Sequence, residues 1–192
     1  MVIKSMKKQL EIRSEVTAFY IRSEFERGDA LLADSVGVLS NYIKLECIGN
    51  RHFYKRELAD AIRCYEEGIS LNSEHQVARY QYLVGVQLEK KMELVEAFKR
   101  YQAAIEADSS FVDAYVELGG LLVKVGDLKG ALHCYRDAVR IDSSDPGNLF
   151  NLKAVLERLV EEDPGDYEDE LKRINKAYEG CPRGAQLQDK SW

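Results

Sequence analysis

Gly85, Ala97, Tyr101, Ala104 and Asp108 return 34 residues later as Gly119, Ala131, Tyr135, Ala138 and Asp142. Leu88/Leu122, Leu94/Leu128, Ser109/Ser143 and Ser110/Ser144 hold the same register. A fixed period of this length marks a helix–turn–helix solenoid, in which each repeat buries its apolar face against the next. Such an array forms no closed catalytic pocket by default. Its extended surface is suited to holding another chain.

Two units carry the period cleanly, at 78–111 and 112–145. Within the second, Ala114, Tyr115, Leu118, Leu121, Leu122 and Val125 recur every three to four residues and predict an amphipathic helix. Gly126-Asp127 breaks it. Leu128, Ala131, Leu132, Tyr135, Ala138 and Val139 make the next stripe, and Asp142 to Pro146 supplies turn chemistry with a proline suited to a first helical position. The small residues fit close helix crossings: Gly85 and Gly119 are expected to face Ala97 and Ala131, with Tyr101 and Tyr135 filling the gap to the following unit.

An earlier unit spans 42–75, with Gly49, Leu58, Ala61, Tyr65, Gly68 and Ile69 in the repeat positions. Its step of 36 to the next unit places two extra residues in the linker at 72–76. A degenerate fourth unit covers 146–182, its second helix running late through Tyr167, Leu171, Ile174 and Tyr178, with Ala177 on the small-residue side. Residues 1–41 are read as an N-terminal helical cap, within which 3–27 form one long helix with Met6, Leu10, Val16, Phe19, Tyr20 and Phe25 as its apolar stripe. Gly28-Asp29 resembles the turn at Gly126-Asp127. The cap is expected to cover the open end of the array, fill its groove or pair with a second copy. Residues 183–192 read as a disordered tail.

The formal net charge of −6 argues against a nucleic-acid footprint, which needs a basic face, and leaves room only for a local basic patch. Lys4, Lys7, Lys8 and Arg13 are read as a solvated helix face. Cys47, Cys64, Cys134 and Cys181 form no C-x-x-C and no zinc-ligand spacing, so a reducing cytoplasmic setting is expected. Met1–Arg13 lacks the apolar run of a secretory signal, and no apolar stretch is long enough to cross a bilayer.

The repeat positions resemble the tetratricopeptide repeat (TPR) family. One unit offers Tyr115, Leu118-Gly119, Leu122, Ala131, Tyr135, Ala138 and Asp142. The preceding one offers Gln81, Val84-Gly85, Leu88, Ala97, Tyr101, Ala104 and Asp108, and the earliest Leu45, Ile48-Gly49, His52, Ala61, Tyr65, Gly68 and Asn72. The departures are Gln81 for an aromatic, His52 for an apolar residue and Gly68 for alanine, and they are read as weakening their units. The resemblance implies an all-α, right-handed helix–turn–helix solenoid of three units with helical caps.

It also implies a concave groove lined by the first helix of each unit. The partner-binding positions are then Ile43, Asn50, Phe53 and Tyr54; Arg79, Tyr82, Leu83, Val86 and Lys90; Val116 and Lys124; and Phe150, Asn151 and Arg158. The apolar band along it marks a binding site or is covered by the chain's own terminal helix. Some family members clamp acidic chaperone tails with Lys, Asn and Arg, but the matching positions here hold Glu46, Asn50, Leu83, Asp113 and Glu117, and only Asn50 fits.

No motif for catalysis, nucleotide binding or a metal is present. His52, His75 and His133 are read as structural or surface residues, and the carboxylates between Glu161 and Glu170 as a solvated turn. No cofactor is expected. The reading is a non-enzymatic interaction module that holds an apolar or amphipathic peptide or helix of another protein, without nucleic acid or membrane insertion and with the oligomeric state open. The alternatives are a dedicated client chaperone, similar to small TPR chaperones of secretion systems, and an accessory subunit of an enzyme complex.

Overall fold

The computed structural model describes residues 2–35, 37–71 and 77–181. Among these residues the regular structure is α-helical throughout: α1 (Val2–Ile21), α2 (Phe25–Asp34), α3 (Asn41–Tyr54), α4 (Leu58–Leu71), α5 (Val77–Lys90), α6 (Leu94–Ala107), α7 (Val112–Val125), α8 (Leu128–Ile141), α9 (Pro146–Glu162) and α10 (Pro164–Glu179). The tail read at 183–192 and the linker at 72–76 lie outside the described residues. Packing divides the chain into two compact units, the first ending at Ala107 and the second beginning at Asp108.

In the N-terminal unit, consecutive helices pair as hairpins. The α3–α4 link is closed by Arg56 N donating to the Phe53 carbonyl and Glu57 N to the His52 carbonyl, both at 2.9 Å. The α5–α6 link repeats the pattern, with Met92 N on Glu89 and Glu93 N on Leu88, again at 2.9 Å. This is the Schellman arrangement, which needs a left-handed residue just past the helix. Arg56 and Met92 both sit at φ 64°.

The same turn lies between α1 and α2. Ser23 N donates to Tyr20 O at 3.0 Å and Glu24 N to Phe19 O at 2.9 Å, with Ser23 at φ 62°. The single helix expected over 3–27 is therefore broken at Arg22–Glu24, and Gly28-Asp29 lies inside α2 rather than in a turn. The first hairpin is a repeat with its packing exchanged. Val16 stands where the later units have glycine, and Gly28 where they have alanine. A Cβ on Gly28 would lie 2.8 Å from Tyr20 Cδ1. Val16 and Tyr20 are buried with Leu39, Ile43 and Cys47. Met6 and Leu10, expected on the same stripe, are 56% and 46% exposed and stand outside this cluster.

The glycines of α3 and α5 are set by tyrosines of their own hairpins. A Cβ on Gly49 would lie 2.7 Å from Tyr65 Cδ1, and one on Gly85 would lie 2.7 Å from Tyr101 Cε1. These contacts correct one expectation and widen another. The atoms nearest the glycines belong to the tyrosine rings and not to the alanines, and the tyrosines fill space within their own hairpin as well as toward the next, since Tyr65 also lies 6.3 Å from the Tyr80 ring and Tyr135 shares a cluster with Leu152 and Leu156. Gly68 is no weakness either. It replaces the alanine of the other repeats where the facing residue has grown to Tyr80, whose Cε1 would lie 2.7 Å from a Cβ at Gly68. Tyr80 is fully buried and donates its hydroxyl to the Tyr42 carbonyl.

In the C-terminal unit, Gly119 meets Tyr135 as in the other hairpins, with Cε1 2.7 Å from a Cβ there. Gly126 takes the left-handed turn position at φ 85°. The Asp127 carboxylate then caps α8 by accepting from Gly130 N at 2.8 Å. Asp108 and Asp142 each accept from the backbone N–H and the hydroxyl of the serine two residues on, at 2.7–3.0 Å, which explains the recurring Asp-Ser-Ser. Asp145 caps α9, and Pro146 sits at its start. At 17 residues α9 exceeds the 14 of α7, so the late second helix follows from a longer first one. Tyr167, Leu171 and Ile174 of α10 pack on the core formed by α8 and α9, and Tyr178 is buried, while Ala177 is exposed.

Candidate partner-binding surfaces

On α5 the two faces differ sharply. Ala78, Tyr80, Val84, Gly85, Gln87 and Leu88 are buried. Arg79, Tyr82, Leu83 and Val86 are half-buried and Lys90 is exposed, all along one face at helical spacing. Phe53 and Tyr54 adjoin the C-terminal end of this face, with ring centroids 4.9 Å apart in an edge-on arrangement. Lys90 Nζ lies 3.7 Å from the Phe53 ring centroid, within cation–π range. Phe53, Tyr54, Arg56, Leu58 and Lys90 line a cavity of about 550 Å³. Phe53, Tyr54 and Lys90 are among the positions expected from the sequence, and Arg56 and Leu58 are not. They follow Phe53-Tyr54 directly across the turn, and that adjacency was the available signal.

Ile43 and Asn50 do not lie on an open surface, because α1 packs along α3. Ile43 is 3% exposed in the cluster with Val16, Tyr20, Leu39 and Cys47. Asn50 is buried, its Oδ1 accepting from the Tyr65 hydroxyl at 2.7 Å and its Nδ2 lying 3.5 Å from Thr17 Oγ1. For these two positions the expectation of partner contact is corrected. The terminal helix covers them, as the alternative reading allowed.

Arg79 has a structural task that its groove assignment did not include. Its guanidinium donates Nε and an Nη to Glu46 Oε1 at 2.9 and 2.8 Å, while Arg13 approaches Oε2 at 3.5 Å. Glu46 is 1% exposed, so α1 and α5 jointly neutralise a buried carboxylate of α3. Glu46 falls at helical spacing between Ile43 and Asn50, on the face of α3 that is buried, and that placement is the sequence signal for this link.

The C-terminal unit presents its own candidates. Val116 is half-buried against the core of α8 and α9, and Lys124 is exposed. On α9, Phe150 is 46% exposed with its ring 6.1 Å from that of Tyr178. Asn151 beside it is half-buried, and Arg158 is exposed.

The chemistry of the thiols follows from burial. All four cysteines are free. Loss of solvation, with Glu46 alongside, pushes the Cys47 thiol up to about 12. Burial chiefly, with Asp137 and Asp127, raises Cys134 to about 11, so neither is an activated nucleophile at neutral pH. No helix among the described residues is long and apolar enough to cross a membrane.

Residues 112–145, the α7–α8 hairpin and its following turn, match a tetratricopeptide repeat family model. The α7–α8 pair is thus a tetratricopeptide repeat by its sequence. The TPR fold is shared with MamA at a TM-score of 0.64 and 18% identity, over 91% of this chain and 96% of that one. The first TPR of Spaghetti (RPAP3), solved bound to the HSP90 peptide SRMEEVD, superimposes at a TM-score of 0.56 and 17% identity over 62% of this chain and 94% of its own. The Sgt2 TPR domain from Aspergillus fumigatus does so at 0.57 and 19%, over 65% and 82%. At these identities the likeness to TPR structures is one of fold. No curated protein sequence matches the chain.

Proposed function

We propose that this protein is a non-enzymatic interaction module, an adaptor or assembly subunit, that holds an apolar or amphipathic segment of another protein against its first-helix surfaces. The observation that carries this reading is the half-open face of α5, where Tyr82, Leu83 and Val86 remain partly accessible while the opposite face is closed. Large apolar and aromatic side chains left together on a helix face gain most by being covered by a partner. The aromatic and cationic cavity at Phe53, Tyr54 and Lys90 offers an anchor next to it. Val116 and Phe150 are the counterparts proposed for the C-terminal unit.

A peptide rich in carboxylates, like that bound to the first TPR of Spaghetti, does not suit this chain. Glu46 is buried against Arg79 and Arg13, and the positions matching the cationic and amide residues of such a clamp carry Leu83, Asp113 and Glu117 in this chain. The four free thiols accord with a reducing, cytoplasmic setting.

Affinity capture from a native extract, followed by mass spectrometry, tests the reading. A folded partner recovered in stoichiometric amount supports an adaptor. A single unfolded client would replace it with a chaperone, and enzymatic activity confined to the complex would make the chain an accessory subunit.

A further inference from the structure

We propose that the α3–α4 turn carries a site for a divalent transition-metal ion of zinc-like chemistry, formed by His52, Glu57 and Asp60. One potential ligand atom from each residue lies within 4.8 Å of the other two. His52 Nδ1 is 2.6 Å from Glu57 Oε2. The backbone fixes this proximity, because the left-handed Arg56 and the Glu57 N–H bond to the His52 carbonyl return the chain directly onto the end of α3. Asp60 lies in the first turn of α4.

His52 departs from the repeat. Leu88 and Leu122 hold its position in the next two units, and Glu93 and Glu96 are the counterparts of Glu57 and Asp60. The carboxylate pair thus recurs in the next repeat, while the third holds Asp127 and Gly130. The nitrogen donor beside the pair occurs only in the first of these three repeats. One imidazole and two carboxylates, with a water in the fourth position, form a donor set that zinc accepts. Magnesium and calcium prefer oxygen alone.

The charged groups nearby set the affinity. Arg63 pairs with Asp60 Oδ1 at 2.8 Å, but its side chain is 75% exposed and can swing into water. Lys55 and Arg51 both act on Glu57, and Arg51 is itself bound to Asp29 at 2.8 Å. These cations place binding in the micromolar range rather than tighter. The proposal stands apart from the partner-binding reading and does not depend on it.

Calorimetric titration of zinc chloride into the purified full chain at neutral pH is the test. One zinc per chain with micromolar affinity is expected, together with a higher melting temperature in excess zinc. His52→Leu installs the residue found in the next two repeats, so the variant should fold while losing at least tenfold in affinity and the zinc-dependent rise in melting. Asp60→Asn should weaken binding without removing a packed group. Cobalt in place of zinc should give visible absorption without a thiolate charge-transfer band. Absence of zinc binding, undiminished binding in His52→Leu, or a thiolate band pointing to Cys134 or Cys181 would each overturn the proposal.

Discussion

The ring of Tyr65 fills the space that a side chain on Gly49 would need, its Cδ1 lying 2.7 Å from where a Cβ would be, while its hydroxyl donates to Asn50 Oδ1 at 2.7 Å. The ring is fully buried and anchored at its far end, so it has little room to yield. Gly49→Ala is expected to cost about 1–3 kcal/mol by overpacking. Equilibrium urea denaturation measures it. Tyr65→Leu should be non-additive with Gly49→Ala, because the two residues share one space.

The Glu46 carboxylate is the second packing determinant. Arg79→Met should destabilise the chain toward the lower end of about 3–5 kcal/mol, since it strips the bidentate partner from a buried charge but leaves Arg13 at 3.5 Å. Adding Glu46→Gln should recover part of that loss. A double-mutant cycle on unfolding midpoints checks both statements.

Among the described residues, three of four left-handed turn positions hold a residue with a side chain. Met92 at φ 64° is 76% exposed, so Met92→Gly relieves strain and gives up no buried surface. A gain of about 1 kcal/mol is expected. Gly126→Ala, at φ 85° with no atom within 4 Å of the new Cβ, should lose about 1–2 kcal/mol through backbone conformation alone.

Much of the fold is legible in the sequence because the repeat period is carried by residues whose size is constrained, such as Gly85, Ala97 and Tyr101. The break at Ser23 is not legible, since its turn has the same hydrogen bonds as that at Gly126 but no glycine to announce it. Nor is the pairing of Gly68 with Tyr80, which reads as a lost alanine until the two are seen in contact. At the candidate surface, the spacing on α5 identifies the open face correctly as a face. Ile43 and Asn50 fall under α1 because the repeat pattern describes a helix in the middle of an array and carries no record of what covers its end.

Alkaline pH should weaken the fold through Cys47. Below its ordinary 9.0 the thiol is protonated in both states and the contribution is flat. Between 9.0 and about 12 the unfolded chain loses the proton that the native chain keeps. Stability then falls as pH rises, by up to about 1.4 kcal/mol per pH unit. Buried Tyr20, Tyr65 and Tyr80, all raised above their ordinary 10.0, should steepen the fall above that pH. Stability measured against pH in Cys47→Ala should show a shallower slope between pH 9 and 10 than the native chain.

The proposed interaction face is tested most directly by quantitative capture with the native chain beside Tyr82→Asp and, separately, Phe150→Asp, with circular dichroism confirming helical folding of both. A polypeptide held in stoichiometric amount by the native chain should be lost or bound at least tenfold more weakly by Tyr82→Asp, because a carboxylate would be desolvated against the partner's apolar surface. Retention of the same partner at the same affinity by both variants would contradict a binding site on these helix faces.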